Sequence, residues 1–298
     1  MKNNPTTPRA WANFLSKTWG RDRFPIDVKL IAHDISVCQT DPITNIQGGD
    51  IGELEGMLLK RDKGWYLIYN DHVQSRGRIN FTIAHELGHY LLHRKEQESF
   101  QCSTADLLDW GSTARQREAD ADKFAATILM PLDDYRNQVE SAKVDIDLLS
   151  ACAERYEVSL VASIRQWIEF TPQRAVLVVS RDGFIKWSWS SGKALRTRAR
   201  FRFSQETVSI PEASLAAQTM RHPNERTGTE LPARVWFKDE PADMYLREMR
   251  VVSDQYDLVI TLLVLPDRDP WEANEDEEEE EHLVDTYTNF IRNGQLPT

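Results

Sequence analysis

The stretch INFTIAHELGHYLLHR, Ile79–Arg94, decides how this chain is read. Ala84, Leu87, Leu91 and Leu92 recur at three- and four-residue intervals, which predicts a helix buried on one side. Residues i and i+4 of a helix lie one turn apart on the same face, so His85 and His89 can each aim a ring nitrogen at one point. Glu86 projects about 100° round the axis from His85, near that point without ligating it. Asn80 or Thr82 is the expected N-cap. Gly88 costs about 1 kcal/mol against alanine in a helix interior, a loss that the close approach of a neighbouring backbone would offset. His93 extends the run, but it lies about 12 Å along the axis from His85, too far to share one metal. It is expected to cap or pack the helix end, where a cationic imidazole is favoured.

Two imidazoles, a third protein ligand and an open position for water describe a catalytic zinc site, in which a neighbouring carboxylate serves as base. The segment READADKFAATILMP, Arg117–Pro131, offers the third ligand. Glu118 and Asp122 share one face of a second helix, while Ala121, Phe124, Ala125, Ile128 and Leu129 form its apolar side. Packed against the first helix, it would present Glu118 to the metal and Asp122 to the far nitrogen of a histidine, fixing tautomer and orientation. The bland alternative is a histidine-rich surface helix followed by an exposed acidic face. Zinc is the expected ion, and manganese would also be accommodated. The group that stabilises the oxyanion is left open among Tyr66, His72, Arg78 and Tyr135.

Working outward, the 298 residues suffice for one large domain or two modest ones, and 41% hydrophobic and 28% charged residues are ordinary for a globular protein. Neither a leader-like apolar run nor a stretch of about 18 apolar residues occurs, so no membrane segment is expected. Cys38, Cys102 and Cys152 are odd in number and far apart, which argues against a disulfide framework, fits a cytoplasmic setting and marks them as packing residues. The run EDEEEEE, Glu275–Glu281, carries seven of the eleven net negative charges. The remaining −4 gives the body no electrostatic claim on nucleic acid, and direct DNA binding is not expected.

Four regions follow. Residues 1–131 hold the histidine helix and a hairpin in EGMLLKRDKGWYLIYN, with its turn at Asp62-Lys63-Gly64. Residues 132–172 contain a helical pair expected to complete the first domain, broken at Glu157-Val158-Ser159, with some look of a helix-turn-helix in which Arg165 is nearly the sole cation for phosphates. Residues 173–266 read as an α+β or β-rich domain with strands at AVLVVS, FIKWSWS, LRTRARFRF, VWFKDE and DLVITLLVLP. In the third of these, Arg196, Arg198, Arg200 and Arg202 would share one strand face, either as its wet side or as a docking stripe. Trp187 and Trp189 are expected to pack on the sheet. Residues 267–298 form an acidic tail with a final helix at HLVDTYTNFIR. The fold class is α+β.

The pair FTIAHELGHYLLH and READADKFAATILMP resembles the ImmA/IrrE family of metallopeptidases, whose pattern is a HELGH-x-LLH helix followed by E-x-x-A-[DN]-x-F-A-x-x-LLMP. Glu118, Ala121, Asp122, Phe124, Ala125, Leu129, Met130 and Pro131 fill those places, and Ile128 replaces the first leucine. The resemblance runs from about Pro25 to Phe170. It implies a zincin-like domain with His85, His89 and Glu118 as metal ligands and Glu86 as base. It also implies a cytoplasmic endopeptidase acting on few proteins, typically helix-turn-helix repressors, so as to switch on stress or mobile-element genes; some members belong to toxin–antitoxin modules. A strand such as Trp65–Asn70 could pair with an extended substrate segment. The rival reading is a non-catalytic, metal-stabilised regulator that binds DNA or a protein.

Overall fold

A computed structural model describes residues 5–18, 24–73, 75–103, 112–140, 143–201, 207–253 and 257–268. Contacts divide these between two units, one drawn from Met1–Ser141 and Cys152–Ser159, the other from Ala142–Ala151 and Leu160–Tyr287. The architecture is α+β in both. No helix among the described residues is long and apolar enough to cross a membrane. Arg202, the acidic run and the expected final helix lie outside the described residues.

In the first unit, α1 (Pro8–Thr18) and α2 (Val28–Val37) precede strands β1 (Ile43–Gly49), β2 (Leu54–Arg61) and β3 (Gly64–Asn70). Then come α3 (Arg76–Leu92), β4 (Ser99–Ser103), α4 (Ser112–Leu129) and α5 (Leu132–Val139). The strands form one sheet in the order β1-β3-β2-β4, with β1 parallel to β3 and the other pairs antiparallel. The expected β2–β3 hairpin is present, and Gly64 is obligatory in it. Its φ is +139°, and an added Cβ would stand 2.3 Å from the Pro42 carbonyl oxygen. Because β1 and β2 occupy both edges of β3, residues 65–70 have no free row of backbone groups for a substrate; that expectation fails. Among the described residues, β1 and β4 are the edge strands of this sheet.

Helix α3 starts a turn earlier than expected. Ser75, not Asn80 or Thr82, is the N-cap, its side chain accepting from the Arg78 N–H. Nor is the helix buried on one side only: every residue from Thr82 to Leu91 is buried. It packs against β2 and β3 and against α4, so His85, Glu86 and His89 are interior groups. Around them lies a core that includes Leu58, Trp65, Leu67, Ile83, Leu87, Tyr90, Phe124 and Ile128.

The second unit is built on a six-stranded, wholly antiparallel sheet. Its helical pair is α6 (Ile146–Tyr156), whose two halves fall in different units, and α7 (Leu160–Phe170). Glu157 makes the break between them at φ +49°, a left-handed backbone that glycine adopts more readily. Strands β5 (Arg174–Arg181) and β6 (Phe184–Ser190), helix α8 (Gly192–Arg196), and strands β7 (Val208–Ser209), β8 (Thr229–Pro232), β9 (Tyr245–Ser253) and β10 (Leu258–Leu265) follow, ordered β7-β6-β5-β10-β9-β8 in the sheet.

Two expected strands are absent here. LRTRARFRF does not form one: Leu195 and Arg196 end α8, and Arg198 turns the chain at φ +60°. Arg196, Arg198 and Arg200 therefore share no strand face. VWFKDE begins at the last residue of a 3₁₀ turn, Ala233–Val235, and continues without strand pairing, with Trp236 and Phe237 set in the core. Trp187 is buried as expected, and Arg165 lies over the Trp189 ring, 4.1 Å from its centroid, so α7's cation is stacked on its own unit.

Candidate metal centre

Helices α3 and α4 approach so closely that a Cβ added to Gly88 would meet the Ala121 Cα at 3.1 Å and its carbonyl oxygen at 3.3 Å. The glycine's cost in helix propensity thus permits backbone contact, with small residues facing each other across it. That contact sets Glu118 of α4 against the histidines of α3. Glu118 Oε2 lies 3.1 Å from His85 Nε2, and Oε1 lies 3.2 Å from His89 Nε2. The two Nε2 atoms are 3.0 Å apart. All three side chains are buried.

These separations fit a shared cation. Ligands about 2.0–2.1 Å from a tetrahedral zinc stand about 3.3–3.4 Å from one another. The donor chemistry fits as well, since two imidazole nitrogens and a carboxylate converge in the interior, where an uncompensated charge is costly. Burial pushes His89 down to about 4, against the pull of Glu118, so its ring is neutral at neutral pH, the form that binds a metal.

The far ring nitrogens are also engaged. Asp122 Oδ1 lies 2.7 Å from His85 Nδ1. His93 Nδ1 lies 3.1 Å from His89 Nδ1, while the His93 backbone N–H donates to the His89 carbonyl as C-cap. Burial lowers the His93 pKa too, which leaves its nitrogen available to accept from His89. Phe100 of β4 stacks on the His89 ring, with centroids 4.6 Å apart and planes 19° apart. Each ring is thereby held from behind.

Glu86 is fully buried against β2. A Cβ on Gly56 would come within 2.8 Å of Glu86 Oε1 and 2.5 Å of Thr82 Cγ2. Opposite Gly56 in the β2–β4 register stands Cys102. Its sulfur and the donor atoms of His85, His89 and Glu118 all lie within 4.8 Å of one another. The sequence marked Cys102 only as a packing residue, since a lone cysteine in a strand has no ligand spacing to betray it. Of the oxyanion candidates, Arg78 pairs with Glu55, His72 is largely exposed near Asp50, Tyr135 is buried and stacked on Tyr156, and Tyr66 sits mid-strand in β3.

Residues 33–166 match the family described as Peptidase M78, IrrE N-terminal-like domain. A solved structure titled Mycobacterium tuberculosis transcriptional regulator is similar over 87% of this chain and 76% of that one, with a TM-score of 0.53. At 16% identity that is a likeness of fold alone. A search of curated proteins finds no match.

Proposed function

We propose, from the premise that residues 33–166 are a metallopeptidase domain of the ImmA/IrrE family, that this chain is a zinc-dependent endopeptidase. The observation that carries the reading is the convergence of His85, His89 and Glu118, whose donor atoms stand 3.0–3.2 Å apart inside the protein. These three would hold the ion. Two imidazoles and one carboxylate favour zinc, though manganese would also be accepted. When bound, the ion supplies Lewis acidity, polarising a carbonyl and lowering the pKa of water to about 7.

Glu86, the residue after His85, accepts the proton of the attacking water and returns it to the leaving amine. Asp122 and His93 hold the two rings in register by their far nitrogens. Among the described residues β4 is an edge strand, and we assign its outer row of backbone groups to an extended substrate segment. Backbone pairing confers little sequence preference, so we assign selectivity to the second unit. The substrate we favour is a helix-turn-helix repressor, met in the cytosol, whose cleavage releases stress or mobile-element genes; a toxin–antitoxin partner is the variant of the same idea.

A regulator that binds without cutting is the second reading, favoured by the fold shared with a protein titled transcriptional regulator. Glu86→Gln separates the two. With a repressor encoded beside the gene as substrate, mass spectrometry of the products should show cleavage slowed by about 10²–10⁴-fold, with metal content unchanged. A variant that cuts as fast as the parent would remove Glu86 from the chemistry. If the parent cuts nothing while Glu86→Gln keeps every regulatory effect, the binding reading holds.

A further inference from the structure

Cys102 and Phe100 are two residues apart on β4 and so face the same way. Phe100 stacks on His89, which places the thiol on the face that looks at the metal centre. Its sulfur lies within 4.8 Å of the donor atoms of His85, His89 and Glu118, and all four residues are buried. We propose that Cys102 is a fourth protein ligand that closes the centre in a resting form, and that the thiolate must leave before hydrolysis can begin. This rests on the peptidase reading of the same site.

The physical case has three parts. A zinc site with four protein donors has no position left for water, whereas a catalytic one keeps a position open. Thiolate is a soft donor well suited to zinc. A zinc–sulfur bond of about 2.3 Å beside zinc–nitrogen bonds of about 2.0–2.1 Å sets sulfur and nitrogen about 3.6 Å apart, so about 1 Å of side-chain movement completes the set. Among the described residues, strand β4 is bonded to the sheet through β2 alone, so one neighbour holds it where two hold β2. On opening, one metal–sulfur bond breaks, the sulfur takes a proton from solvent and becomes a thiol, and no electron is transferred. A substrate segment that pairs with the outer edge of β4 and shifts the strand would carry the Cys102 sulfur with it, which couples substrate pairing to thiolate release.

The test is spectroscopic and uses the full chain loaded with cobalt(II). The parent should bind one equivalent and show a sulfur-to-cobalt charge-transfer band in the near ultraviolet. Cys38→Ala, which removes an exposed thiol, should keep the band. Cys102→Ala should still bind one equivalent and lose the band, and Cys102→Ser, closer in size, should do the same if the alanine variant folds poorly. Cobalt bound by the parent without that band overturns the closed form and leaves the peptidase reading standing. No stoichiometric cobalt in the parent overturns both.

Discussion

Gly56 shows how little room the candidate base has. Its missing Cβ is what lets the Glu86 carboxylate lie against β2, with an added methyl 2.8 Å from Oε1 and 3.2 Å from Cγ. Thr82 is closer still at 2.5 Å, so neither neighbour can simply give way to the other. Gly56→Ala should therefore push Glu86 off its seat by roughly an ångström and slow cleavage by about 10²-fold, with metal stoichiometry unchanged. Gly49→Ala is the control, since its Cβ would meet Ile68 at an ordinary 3.6 Å. Cleavage at the parent rate by Gly56→Ala would mean that Glu86 has no need of that position. At this scale the sequence is legible where geometry is local. Helical spacing groups His85, Glu86 and His89 on one helix and Glu118 and Asp122 on another, although the packing that joins the two helices is not in the spacing. Gly56 and Cys102 cannot be picked out in this way, because their part depends on the register between β2 and β4, which no spacing in the chain encodes. His93 falls between the two: its place at the helix end could be read, its bond to His89 could not.

Elements are legible in the sequence where turn chemistry and period agree, and hidden where a side chain overrules the period. The β2–β3 hairpin follows from alternation plus a glycine at the turn. The early start of α3 is hidden by Gly77, a poor helix former that is used because a Cβ there would stand 2.8 Å from the Glu157 carbonyl oxygen. The segment after β6 alternates like a strand, yet Ser191 converts it into helix α8. Its Oγ accepts from the buried N–H groups of Ala194 and Ala175 and donates to the Gln173 carbonyl. One hydroxyl thus caps α8 and ties it to the start of β5, which local propensity does not reveal. Ser191→Ala removes the cap and leaves the buried Ala175 N–H without that acceptor. It should cost about 3 kcal/mol in chemical denaturation followed by tryptophan fluorescence. A loss below about 1 kcal/mol would mean that α8 is held by its packing on β5 and β6 rather than by its cap.

For the whole molecule, composition and pattern suffice for an α+β chain with a first part of mixed helices and short strands and a strand-rich second part, but not for how the chain is shared between units. It passes from the first unit to the second near Ser141, returns for Cys152–Ser159, and leaves again at Leu160. Hydrophobic period cannot show this, because α6 and α7 look alike whichever core receives them. The consequence is that no single cut divides the protein cleanly. A fragment ending at residue 172 keeps α7 but strips away β5 and β6, the strands of its own unit that it packs against. Val161, Ile164, Trp167 and Ile168 are all buried in the intact chain. At roughly 1.5–3 kcal/mol for each apolar side chain, uncovering the four forfeits roughly 6–12 kcal/mol, comparable to the whole stability of a domain. The fragment 1–172 should therefore bind a hydrophobic dye and elute as aggregate, while the full chain does neither. Loss of cleavage in that fragment would then reflect exposure of α7 and say nothing about selectivity. A monodisperse, dye-silent fragment that still binds one zinc would show that α7 does not depend on the strands, and only then would its choice among repressors measure what the second unit contributes.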